Sequence, residues 1–254
     1  MNTDYTEQTH SNNIATKTSL SQNSRDQYSN NVEWLQLLDP VVLEQIKDPN
    51  MLNVQNKILT VVFWDISGFS ALCEILKEHT QLVVAFLKEY FSEANRIVHK
   101  NNGILDKFIG DGVMAYFGFK NQSNESRDGS IDSLNAALEL RGFFQQIKKD
   151  WLKIWKIKVK QDINIDLKCG INTGPVLVGL ILTGERDQFT TIGSAVNLAS
   201  RLEGQAHDGQ IIVSPYTKTR IQDLFEMTTI SIDKQIKGFE YLTEYFEVKG
   251  KKED

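Results

Sequence analysis

The sequence predicts an α+β fold in which helices cover one face of a mostly antiparallel sheet. A buried strand is predicted where an apolar run begins near Ile58, and apolar residues at helical spacing follow over 69–99. Two short strands, at 104–109 and 112–118, precede a long helix over 130–155. With a further strand after that helix, the order β-α-β-β-α-β is typical of the ferredoxin-like split βαβ sandwich.

The remainder of the domain is predicted to alternate between the two kinds of element. Residues 163–172 and 176–180 are expected to form two strands around a turn at Thr173-Gly174-Pro175, and 181–191 an irregular polar excursion. The later elements are expected at 195–203 (helix), 210–213 (strand), 215–224 (helix), 226–235 (strand) and 241–249 (strand).

Composition divides the chain into three parts. Residues 1–31 are rich in Asn, Ser, Thr and Gln, and are expected to be disordered because they bury too little apolar surface to offset chain entropy. Residues 32–56 are expected to form a short helical lead-in. The folded domain is expected to occupy residues 57–249.

Bulk properties exclude several classes of protein. The chain has 254 residues and a net charge of -5, which argues against a nucleic-acid partner because such proteins carry a basic field. No apolar run approaches the ~20 residues that span a bilayer, so no membrane span is expected. Cys73 and Cys169 lie in apolar segments and are expected to be reduced, which favours a cytoplasmic location.

Two aspartates stand in contexts suited to metal ions. Asp65 ends the first apolar strand and precedes a Gly-containing turn and a helix, an arrangement that places a carboxylate beside backbone N–H groups. Asp111 lies in the predicted hairpin turn after Gly110. Two such carboxylates could hold a pair of metal ions that drive in-line displacement at phosphorus. Taken singly, either aspartate could instead be a helix cap or a turn residue.

Four segments occur together and in a fixed order: Phe63–Ser70, Lys107–Gly112, Gly170–Gly174 and Thr190–Glu203. Together they resemble the class III nucleotidyl cyclase catalytic domain, of the bacterial-like adenylate cyclase type. The resemblance implies an enzyme that makes 3′,5′-cyclic nucleotides from nucleoside triphosphates and releases pyrophosphate. It further implies a head-to-tail dimer whose active sites are shared between two subunits.

The resemblance also implies roles for the residues around the two aspartates. Asp65 and Asp111 match the ligands of two Mg²⁺ or Mn²⁺ ions, with the carbonyl of Ile66 as a further ligand. Oxygen donors suit these hard cations. The resemblance also implies that the backbone N–H groups of Ser67, Gly68 and Phe69 hold phosphate at the start of the helix.

Substrate-reading residues are implied in the same way. Lys107 matches a base-reading position, and a lysine donor suits adenine N1, which is an acceptor, so ATP is favoured over GTP. Thr190 matches the second base-reading position. Asn197 and Arg201 match the residues that orient the ribose and stabilise charge on the α-phosphate. Lys237 matches a lysine that contacts the β- and γ-phosphates.

Two lysines are less clearly matched. Lys249 competes with Lys237 for the phosphate-contacting position, but Lys237 is preferred because more of the fold still follows it. Lys168 stands where some members of the family have a phosphate-contacting arginine, and it keeps the charge while losing the forked geometry.

All matched positions are present in one sequence, so a homodimer could carry two equivalent sites. The segment Leu182–Gln188 resembles the arm that crosses such an interface. The sequence leaves two alternatives to an adenylate cyclase. One is a guanylate cyclase or another metal-dependent enzyme that forms phosphodiesters, and the other is a catalytically silent, dimerising nucleotide-binding module.

Overall fold

The computed structural model describes residue 42 and residues 53–119, 129–181, 188–232 and 235–253. These residues form an α+β fold, as the sequence predicts. The strands are β1 (Gln55–Ser67), β2 (Gly103–Ile109), β3 (Gly112–Phe117), β4 (Asp166–Ile181), β5 (Gln188–Ile192), β6 (Ile211–Val213), β7 (Phe225–Ser231) and β8 (Glu244–Lys251). The helices are α1 (Phe69–Ile75), α2 (Thr80–Lys100), α3 (Ser130–Lys156), α4 (Ser194–Glu203) and α5 (Pro215–Ile221), with a 3₁₀ turn at Lys77–His79.

The described strands form one sheet in the order β2-β3-β1-β4-β6-β8-β7, with β5 paired to β4. β3 is antiparallel to both β1 and β2, and β8 is antiparallel to both β6 and β7. β4 and β6 run parallel, because α4 lies between them in sequence and returns the chain to the same end of the sheet. The prediction of a mostly antiparallel sheet is therefore confirmed.

The chain divides into two compact units. The described residues of the larger unit come from Lys57–Val176 and Ile192–Asp254, and those of the smaller unit come from Met1–Asn56 and Leu177–Thr191. In the smaller unit, Gly179 allows the end of β4 to approach Val54. A Cβ at position 179 would lie only 2.7 Å from the Cα of Val54, so a larger residue would clash there.

Aromatic side chains fill the core of the larger unit between α2 and α3. The Phe86 ring on α2 meets three rings of α3 edge-on, with centroid distances of 6.2 Å to Phe144, 5.9 Å to Trp151 and 5.2 Å to Trp155. Such edge-to-face contacts add to the stabilisation that comes from burial. The helices thereby provide a rigid support for the strands that carry the candidate site.

Helices pack on both faces of β4, whereas the sequence predicted helices on one face of the sheet. The difference arises at Gly170, where α4 packs on the face opposite to α2 and α3. Cys169 and Ile171 contribute to the same core as α2 and α3. A side chain at Gly170 would project from the opposite face of β4. There its Cβ would meet the backbone of Ala199 and Glu203 in α4. A glycine is therefore needed for the end of α4 to lie this close to the strand.

β4 is one continuous strand, whereas the sequence predicted two strands and a turn at Thr173-Gly174-Pro175. That prediction was wrong because Thr173 is held within the sheet by buried polar contacts. Its N–H donates to Oγ1 of Thr217 at 2.8 Å, and its hydroxyl lies 2.8 Å from that of Thr60 on β1. These partners are distant in sequence, so local turn residues give no sign of them.

The predicted excursion at 181–191 is also corrected in part, because Gln188–Ile192 forms β5. The rest of it, with the proposed arm, lies outside the described residues, as do the predicted disordered segment 1–31 and most of the lead-in 32–56. Within the described ranges, no helix is both long and apolar enough to cross a membrane.

Candidate active site

The pairing of β1 with β3 brings the two aspartates together. Trp64 is paired with Val113. Because the two strands are antiparallel, Asp65, which follows Trp64, and Asp111, which precedes Val113, lie at the same end of the strand pair. The Ile66 N–H donates to Oδ2 of Asp111 at 3.2 Å. One side chain from the hairpin turn is thus fixed against the backbone of the strand that carries the other.

Glycines permit the tight approach at this turn. Gly110 has φ of +62°, a left-handed conformation that glycine adopts without strain. A Cβ on Gly112 would lie 3.1 Å from the carbonyl oxygens of both Trp64 and Ile109, and 3.4 Å from Oδ1 of Asp65. A larger residue at Gly112 would therefore press against the backbone that orients the carboxylate.

The two carboxylates repel each other electrostatically. Burial, and after it the negative charge of Asp65, raises the pKa of Asp111 above its ordinary value. A cation between them would relieve this repulsion. Among the described residues no group of three or more His, Cys, Asp or Glu side chains could hold a metal. Two carboxylates and a backbone carbonyl nevertheless fit Mg²⁺ or Mn²⁺, since such ions keep waters and phosphate oxygens as their other ligands.

Lys168 links this site to α4. Its Nζ lies 3.3 Å from Oδ2 of Asp65 and 2.8 Å from Oε1 of Glu203. The lysine side chain is only 19% exposed, and that of Glu203 only 15%. Burial raises the pKa of Glu203, although the Lys168 charge opposes this rise. Sequence reasoning missed Glu203, since only the packing of α4 at Gly170 reveals its proximity to Lys168.

The strand–turn–helix expected after Asp65 is present. Gly68 has φ of +77° and caps α1, which begins at Phe69. The Ser67 hydroxyl lies 3.2 Å from the backbone carbonyl oxygen of Asp166 and 2.5 Å from Oδ1 of Asp208. Its side chain therefore fixes the turn to neighbouring segments, while its backbone stays at the helix start.

The two predicted base-reading residues lie in different strands. Lys107 is half-buried in β2, with Nζ 3.1 Å from the buried carboxylate of Asp106. The next residue, Phe108, stacks on Phe91 with ring centroids 4.2 Å apart, which anchors this part of the strand. Thr190 is buried in β5, within the smaller unit.

Asn197 and Arg201 both lie on α4 and both are exposed. They are four residues apart and therefore share one face of the helix. In the part of the chain that the structure describes, neither side chain makes a hydrogen bond or an ion pair. Their polar groups are consequently available to a ligand or to a second subunit.

A neighbouring face of α4 packs against the loop that bears Lys237. Leu198 and Leu202 belong to a small core cluster with Ile236 and Phe239. Lys237 lies between the latter two in sequence and is exposed. The cluster therefore joins this lysine to the helix that carries Asn197 and Arg201.

Comparison with known proteins shows a family match and a shared fold. The family model described as "Adenylate and Guanylate cyclase catalytic domain" matches residues 53–251. The crystal structure of the adenylyl cyclase CyaB from P. aeruginosa superposes with a TM-score of 0.69 at 30% identity, covering 80% of this chain and 99% of that one.

Two curated relatives differ in the nucleotide that their names imply. The terminal-differentiation-specific adenylate cyclase of Dictyostelium discoideum is 27% identical over 228 residues, 88% of this chain and 10% of that protein. A receptor-type guanylate cyclase of Caenorhabditis elegans is 27% identical over 212 residues, 74% of this chain and 18% of its own length. This chain thus corresponds to a small part of each.

The chain belongs to the adenylate and guanylate cyclase catalytic domain family. The class III cyclase resemblance, and the α+β fold that it implied, are therefore confirmed.

Proposed function

We propose that this protein is an adenylate cyclase that converts ATP into 3′,5′-cyclic AMP and pyrophosphate. The observation that carries the proposal is the junction of β1 with the β2–β3 turn. There Asp65 and Asp111 lie together, and the Ile66 N–H binds the second carboxylate. This arrangement suits cations that bind the phosphates of a nucleotide.

The reaction forms a bond between the ribose 3′-oxygen and the α-phosphorus, and breaks the bond from that phosphorus to the pyrophosphate oxygen. Asp65, Asp111 and the Ile66 carbonyl would hold two Mg²⁺ or Mn²⁺ ions, whose charge would favour ionisation of the 3′-hydroxyl and offset the negative charge of the leaving group. We propose that the backbone N–H groups of Ser67, Gly68 and Phe69 bind phosphate oxygens beside them.

The exposed polar side chains complete the proposal. Asn197 would orient the ribose, and the forked guanidinium of Arg201 would stabilise charge that builds on the α-phosphate. Lys237 would bind the β- and γ-phosphates. Lys107 would donate to adenine N1 and Thr190 would accept from the adenine amino group.

We propose that two copies of the chain form a homodimer with two shared sites. One subunit would supply Asp65 and Asp111, and the other would supply Asn197, Arg201, Lys237 and the base-reading residues. Asn197 and Arg201 are exposed, and neither side chain has a partner among the residues that the structure describes, which supports this division. An isologous twofold pairing would build both sites at once. The cytoplasmic location expected from the sequence stays a prediction.

A guanylate cyclase is the second candidate, and it is favoured by the similarity to a receptor-type guanylate cyclase. Lys107 argues against it, because guanine N1 carries a hydrogen and would be read better by a carboxylate. A catalytically silent module would be expected to have lost a metal aspartate, Asn197 or Arg201, and this chain retains them all.

The first test is product formation by the purified protein with Mn²⁺, with ATP and GTP offered in parallel. Cyclic AMP from ATP, lost in Asp111→Ala, would support the proposal. Cyclic GMP would retain the cyclase reaction and overturn the assignment of the base. No product from either nucleotide, in protein shown to be dimeric, would favour the silent module.

A further inference from the structure

The side chains of Asp65, Lys168 and Glu203 form a three-membered chain of charges, here called the carboxylate–lysine chain. The ammonium group of Lys168 lies between the two carboxylates, 3.3 Å from one and 2.8 Å from the other. Its end members differ in surroundings, since Asp65 is 37% exposed and Glu203 is 15% exposed. Asp65 thus faces the more accessible side.

The packing of α4 on β4 holds two members of the carboxylate–lysine chain, Lys168 and Glu203, in position. Lys168 and Gly170 are two residues apart on β4, so their side chains share the face on which α4 packs. Because Gly170 lacks a side chain, the N–H and Cα of Glu203 come within contact distance of the strand. Glu203 is therefore fixed beside Lys168 by helix packing, and the ion pair does not depend on a flexible surface side chain.

The lysine is well placed to compete with a metal ion. A cation bound by Asp65 must share or displace the positive charge that already lies 3.3 Å from Oδ2. A half-buried lysine that lost its carboxylate would leave an uncompensated charge, which is costly. Glu203 would remove the cost of an unpaired charge, because it would keep the ammonium group of Lys168 paired when Asp65 binds a cation.

We infer that Lys168 is the counter-ion of Asp65 in the metal-free chain, and that Glu203 is a positioning residue that retains the lysine when a cation binds Asp65. The inference rests on the proposed metal site. It assigns Glu203 a role in metal loading that acts through Lys168, and it assigns Lys168 a role that precedes any contact with nucleotide.

Two substitutions are expected to act in opposite directions. Lys168→Met removes the competing charge and should lower the apparent dissociation constant for Mn²⁺ at least ~5-fold. Glu203→Gln leaves Asp65 as the only carboxylate partner of the lysine, and should raise that constant by ~3-fold or more. In the double variant, Glu203→Gln should have no further effect, because the residue through which it acts is absent.

The measurement is thermal unfolding of the full chain with Mn²⁺ alone, without nucleotide, over a range of Mn²⁺ concentrations. A ligand that binds only the folded state raises the melting temperature with its concentration, which gives the apparent constant. Lys148→Met is the matched control. Its Nζ lies 2.9 Å from Oδ2 of Asp166 and its side chain is likewise 19% exposed, but it pairs with neither metal-site aspartate. It should leave the constant within ~2-fold of the wild type.

The outcomes separate this inference from the metal assignment. Equal effects of Glu203→Gln in the wild-type and Lys168→Met backgrounds would mean simple charge summation and would overturn the inference. Shifts of both single variants in the same direction, or no larger than the control, would also overturn it. If Lys168→Met fails to fold, Lys168→Gln replaces it. A Mn²⁺ response absent from the wild type, or retained in Asp111→Asn, would overturn the metal assignment and this inference with it.

Discussion

The two halves of the candidate site differ in how far this chain completes them. At the strand junction, Asp65 and Asp111 are half-buried, and their neighbours supply a backbone N–H and a lysine charge. On α4, Asn197 and Arg201 are exposed and unpaired among the described residues. The half proposed to bind metal is preorganised by strand register, whereas the half proposed to act on the nucleotide is exposed to solvent.

This difference has a physical basis. Two neighbouring carboxylates can be held in one chain if a hairpin fixes their spacing and a counter-ion limits their repulsion. An arginine that binds a phosphate held by the other subunit needs free N–H groups. Its own chain should therefore not occupy those groups with hydrogen bonds. The contrast therefore supports a site divided between subunits, and the following predictions test it in order of expected effect.

Removal of a carboxylate from the preorganised half should have the largest effect. Asp111→Ala or Asp65→Ala should lower turnover at least ~10³-fold, because the cation that stabilises the transition state loses a ligand. The check is cyclic AMP formation alongside circular dichroism to show an intact fold. Asp150→Asn is the control and should keep wild-type rates, because Asp150 is exposed and its partners among the described residues are its neighbours on α3. Wild-type rates in both aspartate variants would contradict the metal assignment.

Mixing damaged subunits should restore activity if the two halves come from different chains. Asp65→Ala and Arg201→Ala are each expected to be inactive, but their heterodimer retains one intact site. At random pairing, about a quarter of wild-type activity should return, since half of the dimers carry one working site of two. The assay is cyclic AMP formation as a function of mixing ratio.

The complementation has a built-in control. Asp65→Ala mixed with Asp111→Ala should remain inactive, because both lesions fall in the same half of each site. Absence of rescue in the first mixture, with heterodimers shown to form, would argue against shared sites.

Reversal of the charge at Lys107 should change the preferred base. Lys107→Glu replaces a donor with an acceptor, which suits guanine N1–H and opposes adenine N1. The ratio of kcat/KM for ATP to that for GTP should fall at least ~10-fold, the size expected when a buried polar contact is mismatched. Lys107→Gln should produce a smaller change, because its amide can both donate and accept. An unchanged ratio in Lys107→Glu would remove this residue from base recognition.

Neutralisation of Asp111 should slightly stabilise the metal-free fold. The pKa of this carboxyl is raised by burial and by Asp65, so the folded state binds its proton more tightly than the unfolded state does. Its contribution to stability is therefore present at acid pH and is lost as pH rises through the folded pKa. Asp111→Asn avoids that loss, and should raise the melting temperature by ~2 °C at pH 7.5.

The gain should shrink as pH falls, and should approach zero well below the ordinary Asp pKa of about 3.9, where the wild-type carboxyl is protonated in both states. Melting curves of both proteins in chelator, recorded across that pH range, provide the check. A variant less stable than the wild type at pH 7.5 would show that the hydrogen bond from Ile66 outweighs the repulsion.

Sequence reasoning was most successful where the signal is local. Helical spacing was predicted over 69–99, and the structure has the helices α1 and α2 there, with a 3₁₀ turn at Lys77–His79 between them. It failed at Thr173-Gly174-Pro175, where turn-forming residues lie inside β4. The contacts that override them come from Thr217 and Thr60, which are 44 and 113 residues away.

Outside 163–191, the sequence by itself determined the order of elements, and it also determined the family and the positions that match its motifs, because these depend on periodicity and on residue identity along the chain. The tertiary structure decided which groups meet. The approach of Asp65 to Asp111 depends on the register of β1 against β3. The contact of Lys168 with Glu203 depends on the packing of α4 at Gly170, and the exposure of Arg201 depends on which face of that helix is buried. Such distances join residues far apart in sequence, so no local pattern specifies them.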